Sequence, residues 1–273
     1  MDGDGFWELI ERSRQEVSDP QARLEWLQRQ LAQQPTAEIV DFQVWLDRVR
    51  RRADTWDMWG AAYLICDSLC SGDGFWYFQV WLIGLGRDAF ERAVANPHNL
   101  ASLPEVLRLA GRPVDDWSHD DWPHWESLSY VAWEAYEQVT GENEGLYDAM
   151  EAQGHHSPTD PDPTGQSWDF EDPAEAAQRL PRLSWMFPLT DRATRDQRGR
   201  EAFARLAERG QTEEAFIAEF LGRGADSQEP RDRARPDQIP SWNSVSTTTP
   251  GRGRPHAQTR SRPSSRVLWT HHR

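Results

Sequence analysis

The chain contains no lysine, so all 30 of its basic residues are arginines. Without a side-chain amine, Schiff-base chemistry and lysine general-base catalysis are excluded, and so is a phosphate-binding P-loop. Acidic residues number 45, which gives a net charge of -15. Nucleic-acid binding through the body of the chain is therefore not expected, because that affinity comes from basic side chains that neutralise phosphates.

Cysteines and long apolar runs are also scarce. Cys66 and Cys70 are the two cysteines, too few for a disulfide framework. The acidic start, residues 1–4, lacks the basic and apolar regions of a signal peptide. Polar residues and glycines interrupt the most apolar stretch, residues 58–85, so no run reaches the ~20 apolar residues of a membrane span. We predict a cytoplasmic protein without membrane contacts.

Apolar residues, 37% of the chain, recur at helical spacing through the first 140 residues. Asp19 followed by Pro20 is typical of a helix N-cap and first helical position, and Thr36 is predicted to cap the next helix. Apolar side chains occupy most of the circumference of a helix predicted over residues 56–70, which indicates a buried element. No useful stretch alternates with a period of two, so we predict an all-α fold, a compact multi-helix bundle.

Charge and composition divide the chain. Residues 1–222 have a net charge of -21, whereas residues 223–273 have a net charge of +6 and few apolar residues. A segment this poor in apolar residues cannot offset its chain entropy, so we predict a disordered tail. Residues 141–167 are rich in acids, proline and glycine and are predicted to be a linker. Residues 168–222 are then a short helical appendage to a helical domain over residues 1–140.

Three motifs allow a catalytic, cofactor or metal interpretation, and each has a simpler structural one. Residues 84–89 match G-x-G-x-x-A, but they follow helical spacing without a second parallel strand, so a helix end is favoured over a dinucleotide site. His119 and His124 lie among aspartates without a recognised zinc-ligand spacing. Cys66 and Cys70 lie on the apolar stripe and are predicted to be small core residues. No catalytic residue, metal or cofactor is therefore predicted.

From residue 113 to residue 178 the chain has 17 acidic residues and no arginine. Trp117, Trp122 and Trp125 lie in this region outside any clear helical stripe, and we predict that they form a binding surface. The aspartates predicted to bind with them are Asp115, Asp116, Asp120 and Asp121. Charges of one sign attract an oppositely charged protein. The region is either a solvated surface or a docking face for a basic partner.

Charged residues also interrupt the apolar helices. If consecutive helices run antiparallel after a short turn near residues 71–74, the start of the first and the end of the second lie at the same height. Asp57 and Arg87 occupy these two positions, so we predict a buried ion pair that closes the hairpin. Together with Asp73, the two residues are also a candidate ligand pocket.

Six short motifs resemble those of a known family. They are FWELI at 6–10, DF at 41–42, WDMWGAAY at 56–63, DGFWYF at 73–78, WLI at 81–83 and GRDAFE at 86–91. They closely resemble a bacterial family known as domain of unknown function 4240, over about residues 1–140. The resemblance implies a small helical bacterial domain and implies no activity.

These features favour a non-enzymatic protein-interaction domain, adaptor-like or inhibitor-like, that docks a basic partner. The alternative is a small enzyme or ligand-binding protein with its site around Asp57, Asp73 and Arg87. The two hypotheses predict different surfaces: a flat acidic face with exposed tryptophans, or a closed pocket that collects the three charges.

Removal of the tail tests the predicted domain boundary. Because residues 223–273 carry few apolar groups, truncation after Gly222 should leave the thermal midpoint unchanged. Differential scanning calorimetry of both forms measures this midpoint. A drop of several degrees in the truncated form would show that the tail packs on the body.

Overall fold

The structure, a computed structural model, describes residues 1–143, 145–155, 162–190 and 194. The predicted tail and the helices predicted at residues 198–209 and 212–221 lie outside these ranges. The α-helices of the described residues are α1 (Gly3–Glu16), α2 (Pro20–Leu31), α3 (Thr36–Arg52), α4 (Trp56–Ile65), α5 (Gly72–Gly84), α6 (Arg87–Ala95), α7 (Pro104–Leu107), α8 (Val131–Thr140), α9 (Gly145–Ala152), α10 (Pro173–Arg179) and α11 (Pro181–Met186). Short 3-10 helices cover Pro97–Ser102, Val114–Asp116, His119–Asp121 and Glu126–Ser129.

The predicted all-α fold is confirmed for the described residues. Their only β feature is an isolated bridge between Thr55 and Thr164. None of the described helices is long and apolar enough to cross a bilayer.

One of the two helix caps predicted from the sequence is present. The Asp19 carboxylate accepts a hydrogen bond from the backbone N–H of Ala22, and Pro20 is the first residue of α2. The cap predicted at Thr36 is wrong, because Thr36 is already helical and Pro35 precedes it without a side-chain cap. Gly141 ends α8 in the left-handed conformation, at φ 77°, as its position after the apolar stripe suggests.

Helix α3 lies at the centre of the bundle and contacts α1, α5, α8 and α9. Its inner face includes one buried charge, Arg50, only 3% exposed. The Arg50 Nη1 donates a 2.8 Å hydrogen bond to Oε1 of Gln79 in α5, and the guanidinium carbon lies 3.2 Å from the Trp76 ring centroid. This contact joins α3 to α5 inside a mostly apolar core.

Helix α4 ends at Ile65, so the continuous helix predicted as far as Cys70 is wrong. Asp67 and Ser68 adopt positive φ angles of 47° and 69°, and the Ser68 N–H closes the turn on the Tyr63 carbonyl. The chain therefore turns over residues 66–70, and Ser71 serves as the N-cap of α5. Backbone conformations of this kind are uncommon without glycine, which is why the sequence did not indicate the break.

Several described residues after 140 pack against the same core. The segment 141–167, predicted to be a linker, contains α9, whose Leu146 and Met150 are buried against α3 and α8. The described part of the predicted appendage packs on α4 and on the 3-10 helix Pro97–Ser102. Leu183 on α11 is fully buried there. The described parts of the predicted linker and appendage therefore pack against the bundle.

Candidate functional site

Asp121 anchors the loop that carries the predicted binding residues. Its carboxylate accepts hydrogen bonds from Arg108 at 2.9 Å and from Arg112 at 2.9 and 3.0 Å. It also accepts bonds from the backbone N–H and the hydroxyl of Ser118. The bonds from Arg112, and next those from Ser118, hold the pKa of Asp121 well below its ordinary value. This carboxylate is therefore engaged within the protein.

Trp125 is buried, which corrects its prediction as a surface residue. It is 8% exposed, and its backbone N–H donates a hydrogen bond to the Tyr77 carbonyl. One side of the ring lies on α5 at Gly84, where a β-carbon would come within 2.5 Å of it. The Arg23 guanidinium lies 4.5 Å from the ring centroid. Trp125 is thus a packing residue, and Gly84 is needed because the indole ring lies close to the helix there.

Trp117 and Trp122 are half-buried and contact each other. Their ring centroids are 5.1 Å apart in an edge-to-face arrangement, and Trp117 packs against the core. Next to them, burial and then His119 lower the pKa of His124 to about 4, so this imidazole is neutral at physiological pH. In the described ranges, no group of three or more His, Cys, Asp or Glu side chains is placed to hold a metal ion. The two tryptophans stabilise the loop, and part of each ring is exposed to solvent.

Exposed carboxylates extend from this loop along the next two α-helices. Asp115, Asp116 and Asp120 are exposed in the loop. The exposed acidic residues of α8, α9 and the turn between them are Glu134, Glu137, Glu142, Asp148 and Glu151. Helix α9 packs on α8, and α8 contacts the 3-10 helix that follows the loop. We call these eight carboxylates the acidic surface.

The acidic surface also contains apolar groups. Tyr130, Val139 and Tyr147 are each exposed by 41–44%. Burial and the neighbouring Glu137 raise the pKa of Glu134, as expected for like charges on one helix face. The acidic surface therefore combines like charges with exposed apolar area.

The ion pair predicted between Asp57 and Arg87 is wrong. Arg87 Nη1 donates a 2.7 Å hydrogen bond to Asp4 on α1, whereas Asp57 accepts a 3.3 Å bond from Arg179 on α10. Gly86, at φ 93°, turns the chain between α5 and α6, so that Arg87 begins α6 and reaches α1. Each side chain is about half exposed, at 50% for Asp57 and 51% for Arg87, so neither is the buried charge that was predicted.

Asp73 belongs to a third environment. It is exposed in the first turn of α5, near Tyr77, whose hydroxyl donates a 3.1 Å hydrogen bond to Glu126. Tyr130 donates to the same carboxylate oxygen at 3.4 Å. Burial first, and then the charges of Glu126 and Asp73, hold the pKa of Tyr77 well above its ordinary value. The three residues of the predicted pocket therefore have separate partners.

A cleft that sequence analysis missed lies between α3 and the end of α9. Its volume is about 420 Å³, and its lining residues are Val44, Asp47, Arg48, Arg51, Met150, Gly154 and His155. Burial raises the pKa of Asp47 to about 6, although Arg50 and a 3.1 Å hydrogen bond from Gln43 act in the opposite direction. A carboxyl that exchanges protons near neutral pH in a cleft is a candidate functional group. The sequence signal was weak, because Asp47 is one of three acidic residues on α3 and no local pattern distinguishes it from Glu38 and Asp41.

These observations define a small all-α domain with an acidic flank. Residues 1–138, half of the chain, match the model of a family described as protein of unknown function (DUF4240). The chain therefore belongs to that family, which confirms the resemblance noted in the sequence. Helices α1–α7 lie within the match, which ends in the last turn of α8 and excludes α9–α11. No curated protein and no solved structure matches the chain.

A substitution at Gly84 tests the packing of Trp125. In Gly84→Ala the new methyl group would overlap the indole ring, which lies 2.5 Å from the β-carbon position. We expect a loss of about 1–3 kcal/mol in the free energy of unfolding, measured by urea denaturation. Gly72→Ala, at the start of α5, is the matched control because nothing lies within 4 Å of its β-carbon position, and it should cause no loss. Equal effects of the two substitutions would contradict the contact.

Titration of Asp47 should appear in the pH dependence of stability. Its pKa is raised from 3.8 to about 6 on folding, so the folded state binds the extra proton and Asp47 lowers stability as the pH rises through this window. Asp47→Asn removes the charge. Below this pH window the free energy of unfolding of the variant should equal that of the wild type. Above the window it should be higher than that of the wild type by on the order of 2–3 kcal/mol. Denaturation curves from pH 3 to 8 measure the difference, with Asp115→Asn as an exposed control. A pH-independent difference would show that Asp47 is not buried as described.

Proposed function

We propose that this chain is a non-enzymatic protein-interaction domain, adaptor-like or inhibitor-like, that docks a basic partner through the acidic surface. The observation that carries the proposal is the run of exposed carboxylates from Asp115 to Glu151, in a region of the chain that contains no arginine. Carboxylates in this excess create a negative field, only partly offset by Arg108 and Arg112, which accelerates encounters with a positively charged protein.

The loop presents its charges in fixed positions, which favours binding. The ion pairs of Arg108 and Arg112 with Asp121 hold the loop from one side, and the contact between Trp117 and Trp122 holds it from the other. A surface that is ordered before binding loses less conformational entropy when the complex forms. This rigidity supports a recognition role for Asp115, Asp116 and Asp120 rather than simple solvation.

Apolar groups among the charges add short-range contacts to long-range attraction. Tyr130 and Tyr147 expose parts of their rings, and such residues supply large contact areas at interfaces. Charges at the rim chiefly affect the association rate and its dependence on salt. The expected complex is therefore of modest affinity and sensitive to ionic strength.

The positions of Asp57, Asp73 and Arg87 give no support to the alternative, a small enzyme or ligand-binding protein with its site around these three residues. Asp57 contacts Arg179, Arg87 contacts Asp4, and Asp73 lies beside the tyrosine cluster. Three charges with three different sets of neighbours do not converge on one ligand.

Neutralisation of the loop tests the proposed docking surface. The triple variant Asp115→Asn, Asp116→Asn, Asp120→Asn should bind a labelled octa-arginine peptide about 5-fold more weakly than the wild type at low salt, because exposed charges each contribute a few tenths of a kcal/mol. Wild-type affinity should itself fall as salt approaches ~0.15 M, where the Debye length is ~8 Å. Fluorescence anisotropy measures both effects.

A control variant with the same net charge distinguishes binding at the acidic surface from attraction by the protein as a whole. The variant Glu8→Gln, Glu16→Gln, Glu25→Gln removes the same number of exposed negative charges from α1 and α2. It should retain binding within about 2-fold. If the control weakens binding as much as the loop variant does, the attraction belongs to the whole protein and the proposed site is wrong.

A further inference from the structure

Helix α4 carries a second feature, independent of the acidic surface. Trp56, Trp59 and Tyr63 lie on its outer side, and Gly60 between them leaves a notch in the helix surface. The ring of Trp168 fills this notch so closely that a methyl group on Gly60 would overlap it. The notch therefore has the dimensions of an indole ring.

A second aromatic ring occupies the rest of this outer side. The Phe170 ring centroid lies 6.1 Å from that of Trp56, 6.0 Å from that of Trp59 and 5.8 Å from that of Tyr63. It also lies edge-on to the Trp168 ring at 4.8 Å. The sequence Trp-Asp-Phe at 168–170 thus supplies two aromatic anchors separated by one residue.

Backbone hydrogen bonds set the register of this segment. The Thr164 N–H donates to the Asp54 carbonyl at 2.9 Å, and the Trp56 N–H donates to the Thr164 carbonyl at 3.0 Å. Downstream, Arg179 pairs with Asp57, and its guanidinium lies 5.5 Å from the Trp168 ring centroid. Main-chain bonds that set register, with pockets that select side chains, are how protein surfaces recognise extended peptides. We call this face of α4, with the backbone of residues 54–56, the α4 groove.

The groove and its occupant belong to different parts of the chain. The groove lies inside the family match over residues 1–138, whereas residues 164–170 lie outside it.

The fit of residues 164–170 in the groove is incomplete in one respect. Trp168 Nε1 is buried and has no hydrogen-bond partner among the described residues. A buried donor left unpaired weakens the association, so a segment that also offers an acceptor would bind better.

We infer that the α4 groove is a peptide-binding site for an extended partner segment with the chemistry Trp-Xaa-Phe, and that residues 164–170 are its tethered ligand. A tether of this kind holds its ligand at an effective concentration on the order of mM. The partner segment therefore binds when it displaces the tethered one. The site is separate from the acidic surface, so the failure of one proposal leaves the other standing.

Cleavage of the full chain separates the ligand from its tether and tests the inference. A protease site inserted after Gly154, which is exposed, allows the folded protein to be cut while all of its residues are present. The cut protein should keep its helical circular dichroism signal. It should bind a labelled peptide of residues 162–190 at least about 10-fold more tightly than the uncut protein does, because the cut removes the competing tether. Loss of the helical signal on cutting would show that the segment is an integral part of the fold and would overturn the inference.

Variants of the peptide identify the anchor. A Trp168→Ala peptide should bind at least about 10-fold more weakly, because it leaves the notch empty. The Trp185→Ala peptide is the matched control, since Trp185 is 83% exposed, and it should bind like the unmodified peptide. The octapeptide 164–171 should compete with the labelled peptide. Equal losses for the two tryptophan variants, or no competition by the octapeptide, would reject a Trp-Xaa-Phe site.

Discussion

The apolar character of both sides of α4 is the constraint on which much of this structure depends. One side, with Met58, Ala61 and Ile65, is buried in the core of the bundle. The other side carries Trp56 and Trp59, whose large apolar surfaces are unfavourable in water. A single layer of helices can cover only one of these sides. Trp168 and Phe170, more than a hundred residues further along the chain, cover the other side. The helices α10 and α11 follow directly and are positioned by this contact.

Local signals in the sequence predicted local structure well. The pair Asp19–Pro20 marks the start of α2, and Gly141 marks the end of α8, because a cap depends on residues within one helical turn. The break after α4 was missed because Asp67 and Ser68 take left-handed conformations that their residue types seldom adopt. A helix end forced by tertiary packing leaves no such signal.

Residue pairs distant in sequence could not be predicted by spacing. Gly84 was expected to mark a helix end and is the last residue of α5, but the sequence did not indicate that the ring of Trp125 lies against it. Asp57 was predicted to pair with Arg87 because the two helix ends were expected to lie at the same height. Its partner is instead Arg179, 122 residues further along the chain. Nothing in the local pattern around either residue specifies these partners. Such pairs depend on how elements pack, not on the period of any one element.

Acidic residues of the same type have different roles here because their surroundings differ. Asp120 and Asp121 are adjacent in sequence, yet the first is exposed and the second is held by two arginines. Asp47, buried on α3, has a pKa raised to about 6. A charge count gives the number of carboxylates in the region, but it cannot separate exposed carboxylates from those that are paired within the protein. Only burial and hydrogen bonding make that distinction.

The bridge between Thr55 and Thr164 has a consequence for the order of synthesis. A ribosome that adds about 5–20 residues per second needs roughly 5–20 s to travel from one end of this contact to the other. Throughout that interval the nascent α4 has its outer aromatic side uncovered. Any chaperone or partner that recognises exposed tryptophan can therefore bind the outer side of α4 before the ribosome has synthesised the segment that covers it.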